Sequence, residues 1–434
     1  MKVMFRQFEV AFIFVITLIY FAFLWTPKVY FAGGSVGSKL EDSDPYATAA
    51  NIALVAFLVI GGILRRRELI RALGHGWPIL AVLGLAFVSA FWSDAPFLVI
   101  RRSGVLALST LLAFYIVVRL ELAELVKLLV TAFVVIGIAS FAIVAVAPAH
   151  GLGGVASAPH AWRGAFTQKN ILGSVASLGA IVCAYAFFNR HGSRLQSGFG
   201  FLLTVSLTIL SESKTTLLVW PAAVLGVAFA SSLRRRDGLG ILAAYIVLLI
   251  CISAGAYSYA HIDAVLAVIG RNPDFSGRLQ LWEDAVYYIG LRPWLGYGFG
   301  AFWRSDSFEA NQIWATVTWE PPQAHNGWLE LGLNLGFLGI AGVAALWTVF
   351  IFRLTRLLVV PEAKHTIFCL LIFASSAVVN LGEASLLRQG DNMWILFVIA
   401  FVHLKRETLA LRRGVSARQA LPLPVKMQPI IEPG

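Results

Sequence analysis

The sequence predicts an all-α, polytopic integral membrane protein of about twelve transmembrane helices, with a long outer loop before the tenth. Three observations carry this. The 434 residues are 59% hydrophobic and only 13% charged, with a mean hydropathy of +0.78, whereas soluble domains are about 25% charged. Apolar runs able to cross ~30 Å of hydrocarbon recur along the whole chain. The formal net charge of +11 is distributed unevenly among the segments between those runs. A soluble globular enzyme, a disordered chain and a disulfide-stapled secreted domain are excluded. Cys183, Cys251 and Cys369 each sit in an apolar run with no CxxC or Cys/His neighbour, so they read as small core residues.

The apolar segments run 8–25, 46–64, 77–91, 103–118, 128–148, 171–188, 199–211, 215–231, 239–259, 327–352, 366–380 and 393–404. The shorter ones need tilt, or burial inside a bundle, to span. Segments seven and eight are divided only by Ser211–Lys214. The basic start and apolar stretch at the N-terminus, with no small-x-small site close behind, read as a retained first span rather than a signal peptide. With the N-terminus inside, most of the 34 basic residues fall in inner loops: Arg65–Arg67 and Arg71, Arg119 and Lys127, Arg190 and Arg194, Arg234–Arg236, Arg353, Arg356 and Lys364, and the tail from Lys405. The positive-inside rule then puts both termini in the cytoplasm. It accounts for the basic balance through anionic lipid, with no nucleic acid. The resulting organisation is residues 1–260 for spans one to nine, 261–326 for an outer loop with an interfacial helix, 327–404 for spans ten to twelve, and 405–434 for a cytoplasmic tail.

The outer loop is unusually long, and such loops are uncommon unless functional. In it, Ser276–Ile289 reads as a helix with Leu279, Trp282, Val286 and Ile289 on one stripe. Arg278 and Trp282, four apart, share a face. A helix lying flat at the membrane surface would carry a cation at headgroup depth. The run Arg292-Pro-Trp-Leu-Gly-Tyr-Gly-Phe-Gly-Ala-Phe-Trp303 follows. It lacks the strand–helix setting of a dinucleotide site. Its rings suit sugar stacking or an interfacial aromatic belt. His325 then opens the tenth span in Ala-His-Asn-Gly-Trp-Leu-Glu, where a neutral imidazole could take a proton from a hydroxyl.

Further cations occupy the outer level. Arg163-Gly-Ala-Phe-Thr-Gln-Lys169-Asn170 precedes span six, Lys214 lies at the seven–eight turn, and Arg101 and Arg102 follow Trp92-Ser-Asp-Ala-Pro. Positive charge on the face where the inside rule disfavours it suggests an anionic substrate. Salt bridges with Glu283, Asp284, Asp306 or Glu309 are the alternative.

With these motifs in this order, the chain resembles the O-antigen ligase and Wzy-type polymerase superfamily, nearest the exopolysaccharide polymerases of the succinoglycan type. The resemblance covers about residues 80–400, through Trp92-Ser-Asp-Ala-Pro, Arg163 to Asn170, Ser213-Lys-Thr, Gly277-Arg-Leu-Gln-Leu-Trp282, Arg292 to Gly300 and Ala324-His-Asn. It implies a bacterial inner-membrane glycosyltransferase whose outer face is periplasmic. The donor would be an undecaprenyl-diphosphate-linked glycan. The acceptor would be a further glycan repeat for a polymerase, or lipid A-core for a ligase. A chain-length regulator is a possible partner, and neither a cofactor nor a metal is implied. The positions matching the family's functional residues are Arg163, Arg278 and His325, with Lys169 and Lys214 matching less closely. Either Glu383 or Asp391 could match an acidic position.

The chemistry follows. Charge develops on a lipid diphosphate as it leaves, and guanidinium groups can neutralise it. Arg278 and Arg163 are the candidates. Arg292, Lys169, Lys214 and Trp282 complete the expected substrate contacts. His325 is the expected general base on the acceptor hydroxyl. The outer loops offer no His/Asp cluster for a metal, and Glu41-Asp-Ser-Asp44 reads as a solvated loop. A polysaccharide-lipid transporter without chemistry is the competing class. Transporters usually show midplane charge and paired repeats, whereas here most polar residues cluster at the outer boundary and no repeat is evident.

Overall fold

The structure is a computed structural model that describes residues 2–20, 45–153, 160–235, 246, 278–317, 319–360, 363 and 365–419. Its regular elements are helices: α1 (Lys2–Leu18), α2 (Pro45–Leu64), α3 (Arg66–His75), α4 (Trp77–Val88), α5 (Pro96–Arg119), α6 (Leu122–Val146), α7 (Lys169–Asn189), α8 (Arg194–Leu210), α9 (Val219–Arg235), α10 (Arg278–Leu291), α11 (Phe308–Val317), α12 (Gly327–Leu358), α13 (Thr366–Val379) and α14 (Asn392–Gln419). Among the described residues the only strand-like pairing is the bridge between Leu152 and Trp162.

The predicted apolar segments coincide with helices where they are described; 239–259 falls almost wholly outside the described residues, as do residues 21–25 of the first segment. Among the described residues, four helices, α5, α6, α7 and α12, are long and apolar enough to cross a membrane; the bent pair α2–α3 would make a fifth. Trp77–Phe91, α8 and α13 are apolar but shorter. The bend at α2–α3 is 103°. It follows from composition: α2 is uniformly apolar, whereas α3 opens with Arg66, Arg67 and Glu68. α3 buries only Ala72, so it turns aside where the apolar run ends.

Local signals explain where the helices begin. Pro96 starts α5, where a missing N–H costs nothing. Glu121 and Glu124 form a capping box on α6, satisfying two otherwise unpaired donors. Asn326 accepts from the N–H groups of Trp328 and Leu329 at 3.0 and 3.2 Å and so starts α12.

The first turns of α14 form the centre of the bundle. Every residue from Met393 to Val402 is buried, as expected for a helix apolar all round. It packs against α5, α12 and α13, and Trp394 donates to Thr110 Oγ1 at 3.0 Å. Cys183 and Cys369 are buried thiols, and Cys251 lies outside the described residues.

α12 is one helix in outline and two in backbone. Gly336 has φ 60° and ψ −158°, a region essentially closed to other residues. The break strands the carbonyls of Leu333 and Asn334 and the N–H groups of Phe337 and Leu338. The glycine-rich loop satisfies all four: Tyr297 and Gly298 donate to the carbonyls at 2.8 and 3.0 Å, and Pro293 and Trp294 accept from the N–H groups at 2.7 and 3.2 Å. Irregular backbone inside a membrane protein needs this kind of pairing. Gly296, Gly298 and Gly300 all have positive φ. A Cβ on Gly296 would meet the Leu333 carbonyl oxygen at 2.6 Å. The loop is held on its other side by the Trp92 turn: Trp92 donates to the Leu295 carbonyl at 3.0 Å, and Phe299 N–H donates to Ser89 at 2.9 Å.

Candidate functional site

The site lies where four segments distant in sequence meet: the start of α7, the start of α10, the turn into α12, and the loop from Asn380 to Asp391. Arg278 opens α10 and is buried. α10 turns Arg278, Leu281, Ala285, Tyr288 and Ile289 inward. This is not the predicted stripe, since Leu279 and Val286 are exposed. The inward face packs on protein, not lipid. Gly332 of α12 gives room to Ile289, whose Cδ1 lies 2.7 Å from where a Cβ would stand.

His325 has a left-handed backbone, φ 49°. Such a conformation costs energy in a non-glycine residue and persists only where its surroundings impose it. Here they do. The residue before it, Ala324, gives its carbonyl to Trp282 Nε1 at 2.9 Å and its N–H to Glu330 Oε2 at 2.8 Å. Asn326, just after, is the α12 cap. Trp282, expected to touch substrate, thus holds the backbone beside His325.

Glu383 is the centre of the site. Its Oε1 accepts from Arg278 Nη2 at 3.2 Å and from Asn170 Nδ2 at 3.0 Å. Its Oε2 lies 3.1 Å from His325 Nδ1 and accepts from Gln323 Nε2 at 2.8 Å. Arg278 Nη1 also donates to the Gly382 carbonyl at 2.9 Å. A carboxylate can only accept, so His325 Nδ1 carries the proton and Nε2 is left as the basic nitrogen. The 3.3 Å approach of Arg278 Nη2 to His325 Nδ1 is then a contact between two donors. Arg278, His325 and Glu383 are 9%, 4% and 8% exposed. Burial pushes the Glu383 carboxyl up, but His325, Arg278 and Arg388 overcome that push and hold it well below the usual carboxylate range.

The two acidic candidates separate cleanly. Asp391 caps α14, accepting from Met393 and Trp394 N–H at 2.9 and 3.2 Å. Burial raises its carboxyl above the ordinary value. Glu383, not Asp391, meets Arg278 and His325.

The remaining predicted residues are placed by other contacts. Arg163 donates to the carbonyls of His150 and Ala149 at 2.6 and 3.3 Å. Arg292 pairs with Asp94 at 3.2 Å and lies 4.7 Å over the Tyr297 ring; it pins the glycine-rich loop. Lys169 begins α7, one residue before Asn170. Lys214 begins a one-turn helix, Lys214–Leu217; Thr216 of that turn and Ser213 just before it pack on Gly173 of α7. Among the loop aromatics, Tyr297, Phe302 and Trp303 are core residues with Leu281, Ile313 and Leu333, so they are not a sugar platform. Trp319 differs: it is 37% exposed, and its ring centre lies 5.6 Å from that of His325.

Asn170 and Gln323 had no distinguishing signal in the sequence. Asn170 closes the Arg163 motif, and Gln323 is two residues before His325. Both are recognisable only once Glu383 is placed between them. A cavity of about 60 Å³ adjoins Glu383 on the far side, lined by Asn170, Ser385, Arg388, Gln389, Asp391 and Tyr20 among others. Among the described residues no group of three or more His, Cys, Asp or Glu side chains is placed to hold a metal ion.

Comparison with known proteins bears on part of the chain. Residues 199–344 match the Wzy_C family, O-antigen ligase. The chain is also 26% identical, over 293 residues, to the exopolysaccharide production protein ExoQ of Rhizobium meliloti (strain 1021); the match covers 64% of this chain and 66% of that protein, just under two thirds of its length. The chain is thus similar to an O-antigen ligase family over one segment and to an exopolysaccharide production protein over a wider one.

Proposed function

We propose that the chain is a membrane glycosyltransferase that polymerises exopolysaccharide or O-antigen repeat units carried on undecaprenyl diphosphate. The reading places it in the bacterial inner membrane with twelve spans, both termini cytoplasmic and the site on the periplasmic face. Residues 261–326 form the periplasmic segment between spans nine and ten. The observation that carries the reading is the Glu383–His325 pair beside the Arg278 guanidinium, with contacts of 3.1 and 3.2 Å to the carboxylate. A carboxylate fixing one imidazole nitrogen so that the other acts as base is a recurrent solution for activating a hydroxyl.

In this reaction His325 Nε2 takes the acceptor hydroxyl proton. The acceptor oxygen bonds to the donor's anomeric carbon, and that carbon's bond to the diphosphate oxygen breaks. The electron pair leaves with the lipid diphosphate. Arg278 spends Nη1 on Gly382 and Nη2 on Glu383, so it first orders the pair. Its remaining N–H groups, with Arg163, Lys169 and Lys214, oppose the charge on the leaving group without a metal. Trp319 offers the glycan a ring next to the base.

Deleting the gene and restoring it with wild type, His325→Ala or Arg278→Ala tests this. The reading expects wild type alone to restore long polymer, with all three proteins present at equal level in the membrane. Full polymer from both variants would overturn it. A ligase shares the chemistry and differs in acceptor. Long lipid-linked polymer accumulating in the deletion strain would favour the ligase; a surviving single-repeat product would favour the polymerase.

A further inference from the structure

Glu383 accepts four hydrogen bonds, two on each oxygen, and one of the four donors is itself held in a single orientation. Gln323 is 6% exposed. Its Oε1 accepts from Arg388 Nη1 at 3.0 Å and from Ala384 N–H at 3.3 Å, while its Nε2 donates to Glu383 Oε2 at 2.8 Å. An amide can be turned end for end. Turning this one would set its NH₂ against a guanidinium and a backbone N–H, and its oxygen against a carboxylate. All three contacts would become repulsive. Arg388, together with the Ala384 N–H and Glu383 itself, therefore decides which end of Gln323 faces Glu383. Arg388 is anchored in turn by a second bond, to the Ala384 carbonyl at 3.2 Å.

The consequence falls on Oε2, the oxygen that meets His325. Arg278 and Asn170 hold Oε1, but without Gln323 the imidazole would be the one donor holding Oε2 against rotation of the carboxylate. Gln323 Nε2, on the same oxygen, opposes that rotation. We propose that Gln323 is a positioning residue of the reaction, and that Arg388 acts through it by fixing its orientation. This inference rests on the reading of His325 as the base.

The test uses full-length protein purified in detergent, with lipid-linked oligosaccharide extracted from cells lacking the gene. Gln323→Leu should lower kcat about 10–100-fold, the range for a buried charged acceptor that loses a donor. KM should stay nearly unchanged. Gln323→Glu is the discriminating variant. The groups facing position 323 are Glu383, Arg388, His325 and Arg278. Beside Glu383, a second carboxyl holds its proton at higher pH than usual. While protonated it donates to Oε2 as the amide does; once ionised it repels Oε2. The ratio of Gln323→Glu to wild-type kcat should therefore rise as pH falls and drop as pH rises. A flat ratio, or wild-type kcat in Gln323→Leu while His325→Ala is inactive, overturns this proposal and leaves the reading of His325 intact. Activity in His325→Ala overturns both.

Discussion

Glu383 Oε2 and His325 Nδ1 lie 3.1 Å apart, although 58 residues separate them in the chain. The carboxylate is ionised, buried and fully engaged, so it cannot serve as a proton carrier. Its effect on the imidazole is to fix one tautomer and to stabilise the imidazolium that forms on proton transfer.

Glu383→Gln keeps the shape and removes the charge. The account expects kcat to fall by about 10²-fold or more, with protein level near wild type. Polymer yield in the membrane, normalised to protein, checks this.

The same carboxylate makes stability sensitive to acid. Its folded-state value lies below the ordinary one of about 4.3, so its contribution is complete above that ordinary value and is lost as pH falls through the folded one. The melting temperature of wild type should therefore be insensitive to Glu383 between pH 5 and 8, roughly, and decline below about pH 4. Glu383→Gln should show a weaker acid decline. Thermal melts in detergent across that range decide it.

Arg278 donates both to Gly382 and to Glu383, which requires the fork of a guanidinium. Arg278→Lys offers a single point charge and should recover little of the activity lost in Arg278→Ala. Recovery of more than about half of wild-type polymer by Arg278→Lys would show that charge alone suffices.

Gly336 is required by the broken backbone of α12. A Cβ there would stand 2.4 Å from the carbonyl carbon of Trp294. Gly336→Ala should force the glycine-rich loop out of the break and cost several kcal/mol, from the strained backbone and four disrupted hydrogen bonds. Loss of folded protein on size-exclusion chromatography is the expected result. Gly84→Ala, at a helical glycine with open space around it, serves as the control and should be neutral.

Trp319 is the exposed ring beside His325. Trp319→Ala should raise KM about 10-fold, with Trp319→Phe close to wild type, because stacking on a sugar needs a ring and not an indole N–H. Steady-state kinetics with the two variants separate these.

The bundle was legible because apolar length is written locally. Each run such as 128–148 declares itself, and Asn326, Glu121 and Pro96 mark helix starts within a few residues. The bend after α2 and the break at Gly336 were not. Gly-Phe-Leu-Gly reads as one more apolar turn until the loop from Pro293 to Gly298 is seen to fill the gap. Arg278 and His325 stood out as charge and imidazole at an outer boundary, and the structure brings them together. Glu383 could not be told from Asp391, since both are acidic residues of one loop; only the packing of α10 against α12 sets one of them against Arg278 and His325. Trp282, Arg292 and Tyr297 looked like ligand contacts by residue type. Their hydrogen bonds and ring contacts make them braces, because a long outer loop must stabilise itself before it can hold anything else. Gln323 and Asn170, uncharged, carried no signal of their own.

The most direct measurement of the central claim is single-turnover product formation by purified protein from lipid-linked oligosaccharide, comparing wild type with His325→Ala and Glu383→Gln. The account predicts longer glycan and released lipid diphosphate with wild type, and losses of at least about 10²-fold in both variants with substrate still bound. Unchanged product formation in both variants would contradict it.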